Sequence, residues 1–128
     1  MYTELTVLVF YALWVILVIL LQVLLALPQV GLGYLASPRD EGRQLLGVAG
    51  RCERALGNSV TALTLFAPAI LVIDLTAANT PGTLTAAWVF LFARIFYVPV
   101  YLMGIPWLRT AIWLTGLAAT AYLYYAAL

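Results

Sequence analysis

Leu5 to Leu27 reads LTVLVFYALWVILVILLQVLLAL, an apolar run interrupted only by Thr6 and Gln22. At about 1.5 Å per residue, a helix of this length crosses a hydrocarbon layer of roughly 30 Å. The stretch therefore predicts a membrane span. Met1-Tyr2-Thr3-Glu4 carries an acid and no base ahead of it, so the span is expected to be retained rather than cleaved as a signal peptide. The whole chain agrees with this reading. Of 128 residues, 66% are hydrophobic, 13% aromatic and only 9% charged, whereas soluble domains carry about 25% charged residues.

Working outward, Pro28, Gly31, Gly33 and Pro38 are expected to break or bend the helix. Residues 37–53 hold most of the charge (Arg39, Asp40, Glu41, Arg43, Arg51 and Glu53), which predicts a polar loop. Further spans are expected at 55–78, 84–103 and 110–128, separated by the breakers Asn79-Thr80-Pro81-Gly82 and Gly104-Ile105-Pro106. Tyr122, Tyr124 and Tyr125 suit an interfacial aromatic belt. The runs are continuous rather than alternating, which favours helices over barrel strands. A single all-α integral membrane domain over 1–128 is the predicted fold class, with four spans and short loops.

With four spans, the loops after the first and third share one side. They hold Arg39, Arg43, Arg51, Arg54 and Arg109, while the other side carries only Glu4 and Asp74. The positive-inside rule then places the Arg-rich side in the cytoplasm and both termini outside it. A formal charge of +1 with no Lys and no His leaves no footprint for nucleic acid and no histidine for a metal site. Cys52 is the only cysteine, which removes an internal disulfide and reads as a small core filler.

Charged groups at membrane depth cost about 2.5–3.5 kcal/mol on insertion scales, so each requires a partner or a polar pocket. Arg51, Arg54, Asn58 and Thr61 recur at spacings of three, four and three, which sets them on one stripe of a helix. Arg94, Tyr97 and Tyr101 repeat three and four on the next, with Arg109 just beyond the Gly-Ile-Pro break. Both stripes approach the Arg-rich side. Forked Arg donors match a carboxylate, and Asn and Tyr add neutral hydrogen bonds, so the pattern suits a small anion. A peptide-like thiol fits: Arg109, helped by Tyr101, would favour its thiolate over a thiol of ordinary pKa, about 8.5. A plainer reading stands beside this one, in which Arg51, Arg54 and Arg109 anchor lipid phosphates and Tyr97 and Tyr101 only pack. Arg94, about halfway along its run, demands a buried partner, either Glu53 or a carboxylate of a neighbouring subunit.

Gly50-Arg51-Cys52-Glu53-Arg54-Ala55-Leu56-Gly57-Asn58 and Ala93-Arg94-Ile95-Phe96-Tyr97-Val98-Pro99-Val100-Tyr101 resemble the two signature stretches of the MAPEG family, the membrane-associated proteins in eicosanoid and glutathione metabolism. The resemblance covers the whole chain and is nearest to the short bacterial members. It implies a left-handed antiparallel four-helix bundle, a homotrimer, and glutathione as co-substrate bound between subunits near the cytoplasmic face. It also implies that Arg54 and Asn58 bind glutathione, that Tyr97 and Tyr101 line the same site, and that Arg109 lies within a residue of the thiolate-stabilising Arg. Arg51 matches a basic position at the helix start and Arg94 a basic position of structural role. Four departures are visible. Thr61 stands where better-known members have the Glu that holds the glutathione amino group, and Ala62 replaces the Tyr that follows it. The family's Pro-Leu-Phe appears as Thr64-Leu65-Phe66, with the proline at Pro68. No Arg ends the first helix. Losing a carboxylate partner for an ammonium forfeits roughly 1.5–3 kcal/mol, tenfold or more in affinity.

Three functions follow as expectations. The first is a glutathione-transferase-like enzyme of the bacterial inner membrane, conjugating the thiol to, or reducing, lipophilic small molecules among the membrane lipids. The second is a non-catalytic structural or lipid-binding trimer with an altered site. A four-span exporter ranks last, because coupling to protons usually needs an intramembrane carboxylate and Glu4 and Asp74 lie near span ends.

Overall fold

A computed structural model describes residues 2–128 as five helices and no strands. They are α1 (Glu4–Val30), α2 (Leu32–Ala36), α3 (Gly47–Leu75), α4 (Pro81–Leu102) and α5 (Pro106–Ala127). Among the described residues, α1, α3 and α4 are long and apolar enough to cross a membrane. The stretch predicted as a fourth span is helical in α5, where Thr110, Thr115, Thr120 and three tyrosines lower the apolarity below that of the others.

Two expected boundaries move. The first helix passes through Pro28 and runs on to Val30, ending at Gly31, one of the expected breakers. The polar loop expected over 37–53 is shorter, because α3 begins at Gly47 and carries Arg51 and Glu53 on its first turns. Gln29 explains where the loop closes. Its amide donates to the Leu46 carbonyl and accepts from the Leu46 N–H, both at 2.8 Å. Gly50 then sits where a Cβ would lie 2.6 Å from the Leu45 carbonyl oxygen, so no larger residue fits that close approach. Within the loop, Arg43 donates to Glu41 at 2.7 Å and holds that carboxyl below its ordinary pKa.

The buried positions of α1, Val7, Tyr11, Val15 and Val18, recur at spacings of four, four and three, the stripe that faces the other helices. Its remaining faces expose Leu13, Leu17, Leu20 and Leu24, as a helix bathed in lipid does. The centre of the core is aromatic. Phe66 of α3 stacks on Phe90 of α4 with centroids 3.9 Å apart, and Tyr11 meets Phe90 edge-on at 4.9 Å. Helix α4 packs against α5, α3 and α1, and α3 likewise meets the other three long helices, so both have faces enclosed by neighbours on several sides.

At the end away from most of the arginines, Glu4 is buried and accepts from the Thr83 hydroxyl at 2.9 Å and from the Asn79 amide. Thr80 caps α4, accepting from the Thr83 N–H at 3.1 Å. Asp74 is exposed nearby. Glu4 is thus a structural clasp between the starts of α1 and α4.

Candidate functional site

Five of the predicted residues meet in one cleft. Arg54 and Asn58 come from α3, Tyr97 and Tyr101 from α4 and Arg109 from α5, lining a space of about 390 Å³ together with Thr110 and Trp113. The helical spacings that set each pair on one face are the reason they converge. Arg109 reaches the cleft because the chain turns at Gly104, with φ of 75°, before Pro106 opens α5.

Tyr101 joins the two cations of this cleft. Its hydroxyl accepts from Arg54 Nε at 3.2 Å, and its ring lies under the Arg109 guanidinium, 4.7 Å from centroid to Cζ. Arg54 is exposed and Arg109 half-buried. Two forked donors therefore remain available to an anion entering the cleft. Tyr97 is buried beneath Tyr101, with ring centroids 5.6 Å apart.

Arg51 is set apart from this group. Its Nε donates to the Leu102 carbonyl at 2.9 Å, tying the start of α3 to the end of α4. That carbonyl belongs to the last turn of α4, where backbone acceptors have no partner within the helix.

Arg94 is the largest fully buried side chain, with 2% of its surface accessible. Glu53, the expected partner within the chain, is exposed and makes no ion pair with it. Arg94 instead donates Nη2 to the Ser59 hydroxyl at 3.3 Å and lies over the Tyr97 ring at 4.2 Å. Ser59 is held in turn: its hydroxyl donates to Ala55 at 2.8 Å, and its carbonyl accepts from the Tyr11 hydroxyl at 2.7 Å. Buried Gly116 lets the aliphatic part of Arg94 pass against α5, with Cδ 3.4 Å from where a Cβ would stand.

Thr61 falls in a second compartment, a crevice of about 130 Å³ between α3 and α5 that Phe90 and Arg94 of α4 also line. Asn58 and Trp113 line both spaces, so the crevice continues the cleft one to two turns deeper. Cys52 is fully buried against Val18, Ala55, Tyr97 and Val98, which fits its reading as a core filler.

Sequence reasoning missed Ser59, Trp113 and Thr110. Trp113 stands four residues after Arg109, the spacing that places both on one helix face, so the signal was available. Ser59 was masked by its neighbour Asn58, and its role depends on which helix lies opposite.

Neither a curated protein nor a solved structure matches the chain significantly. The profile of the MAPEG family matches residues 5–128, nearly the full length. With membrane-length apolar helices and both motif stretches in place, the chain belongs to the MAPEG family of membrane proteins.

Proposed function

We propose that this protein binds glutathione or a related thiol in the Arg54–Asn58–Tyr97–Tyr101–Arg109 cleft and conjugates it to lipophilic electrophiles, as a glutathione-transferase-like enzyme. The observation that carries this reading is the convergence of two guanidinium groups, an amide and two phenols from three helices on one open cleft. Arg54 and Asn58 hold a carboxylate and peptide groups of the thiol. Arg109 faces the sulfur and favours the thiolate, whose proton leaves to water; the thiolate attacks an electron-poor carbon, and the C–S bond forms as that carbon's leaving group departs with its bonding pair, or as the π pair of an activated double bond shifts to the neighbouring atom and takes a proton from water. Tyr101 keeps both cations in place, through its hydroxyl on Arg54 and its ring under Arg109. The electrophile arrives from the bilayer, concentrated there by its own apolarity.

The assembly belongs to the same proposal: an antiparallel bundle of four spans, α5 supplying the fourth, associated as a homotrimer. The exposure of Arg54 and Trp113 supports it, because a neighbouring subunit would close the open side of the cleft over the thiol. Arg39, Arg43, Arg51, Arg54 and Arg109 define the cytoplasmic end, which sets both termini outside, in a bacterial inner membrane.

Calorimetric titration of the detergent-purified protein with glutathione, beside Arg54→Ala, tests the reading. Saturable binding that the substitution abolishes is expected; no binding at millimolar glutathione overturns it. Thr61 and Ala62 in the crevice favour a second reading, a non-catalytic trimer that retains the bundle. Thiolate ultraviolet absorbance on mixing with glutathione separates the two, since only the enzyme raises it.

A further inference from the structure

The cleft and its deeper crevice are lined by Arg54, Arg94 and Arg109 and by no Asp or Glu. Arg94 is the exceptional member. Its Nε has no hydrogen-bond partner, and the ion pair observed among the described residues is Arg43 with Glu41, far from it in the loop. Glu4 is engaged at the opposite end, and Asp40, Glu41, Glu53 and Asp74 are exposed outside both compartments. A neighbouring copy, rotated about the membrane normal, brings its acids to the same heights. The closest along α3, Glu53, is then six residues or about 9 Å from the level of Ser59. A guanidinium buried without a counter-ion is costly and calls for an anion.

The crevice also lacks anything to offset a second positive charge. The Thr61 and Thr120 hydroxyls donate to their own helix, at 3.0 Å to Gly57 and 2.9 Å to Gly116, and present only neutral oxygens. Arg94 and Tyr101 are two turns apart on α4, about 10 Å. In a γ-linked thiol the path from the cysteine Cα to the far carboxylate carbon is six bonds, about 7 Å when extended, and the cysteine side chain adds about 2 Å more. One molecule can therefore meet Arg109 at its thiol and Arg94 at its inner end.

We infer that the crevice receives an anionic terminus, so that the preferred ligand is an acidic thiol bearing a carboxylate, and no ammonium group, at the end that meets Arg94. This rests on the reading of the cleft as a thiol site. It narrows the substrate class to thiols whose inner end is a dicarboxylic-acid-like chain rather than an amino acid.

The test compares glutathione with glutaryl-cysteinylglycine, which differs only in lacking the α-ammonium group, by calorimetric titration of the full-length protein in detergent. The des-amino thiol is expected to bind at least tenfold more tightly. Thr61→Glu, which adds a carboxylate to the crevice, is expected to reverse the order. Arg94→Lys, which keeps the charge but loses the fork, is expected to weaken the des-amino thiol while preserving its lead. Glutathione binding as tightly as the des-amino thiol, or more tightly, overturns this inference and leaves the thiol site standing. Binding of neither thiol overturns both. The comparison in the unsubstituted protein decides without dependence on any variant's folding.

Discussion

Replacing Arg94 by Met is expected to stabilise the protein while destroying part of its binding site. The guanidinium has 2% of its surface accessible, and burying such an ion costs several kcal/mol after relaxation. Two contacts offset that cost. The Ser59 hydrogen bond, long at 3.3 Å, returns about 1.5 kcal/mol. The Tyr97 ring at 4.2 Å returns about 2 kcal/mol when desolvated. In the unfolded chain Arg94 can snorkel to water, so the shortfall falls on the native state. Met follows the same path past Gly116 and fills most of the same space without the charge. A net gain of about 1–2 kcal/mol follows, a rise in thermal midpoint of roughly 4–8 °C for a chain of this size. Thermal unfolding in detergent, followed by circular dichroism, measures it. A midpoint lowered by several degrees at unchanged helix content would refute the reasoning, because it would mean that the charge is compensated in the native state.

Other substitutions separate the roles assigned within the cleft. Arg109→Ala is expected to raise the pKa of the bound thiol by about one unit, cutting the thiolate fraction near neutrality about tenfold; thiolate absorbance titrated against pH reads this directly, and an unmoved curve would remove Arg109 from the chemistry. Tyr101→Phe keeps the ring under Arg109 but deletes the acceptor for Arg54, so binding should weaken about fivefold, or about 1 kcal/mol, with the thiol pKa unchanged. Phe66→Ala removes a fully buried ring stacked on Phe90 and is expected to cost about 3–5 kcal/mol of stability in the same unfolding assay.

In a membrane chain of this composition, the apolar runs and the breakers between them are local properties, and they mark every long helix. Helix ends were less legible. Proline is disfavoured inside a helix, yet α1 passes through Pro28, and α3 absorbs residues that looked like loop because they are charged. The stripes on α3 and α4 were readable because a period of 3.6 residues alone puts Arg54 with Asn58 and Tyr97 with Tyr101.

Which stripe faces which is a matter of packing between helices far apart in sequence, and periodicity carries no information about it. Only the tertiary structure shows that Tyr101 links Arg54 to Arg109, that Arg51 leaves its stripe to hold Leu102, and that Glu4 clasps Thr83 across the molecule. The same holds for Arg94. Its depth follows from its position in an apolar run, whereas its partner within the chain, Ser59 rather than Glu53, depends on α4 lying against α3. Hydrophobicity and helical period thus determine what each helix is and which residues it presents; the contacts that turn those residues into a site, and leave Arg94 without a counter-ion in its own chain, exist only once the helices are assembled.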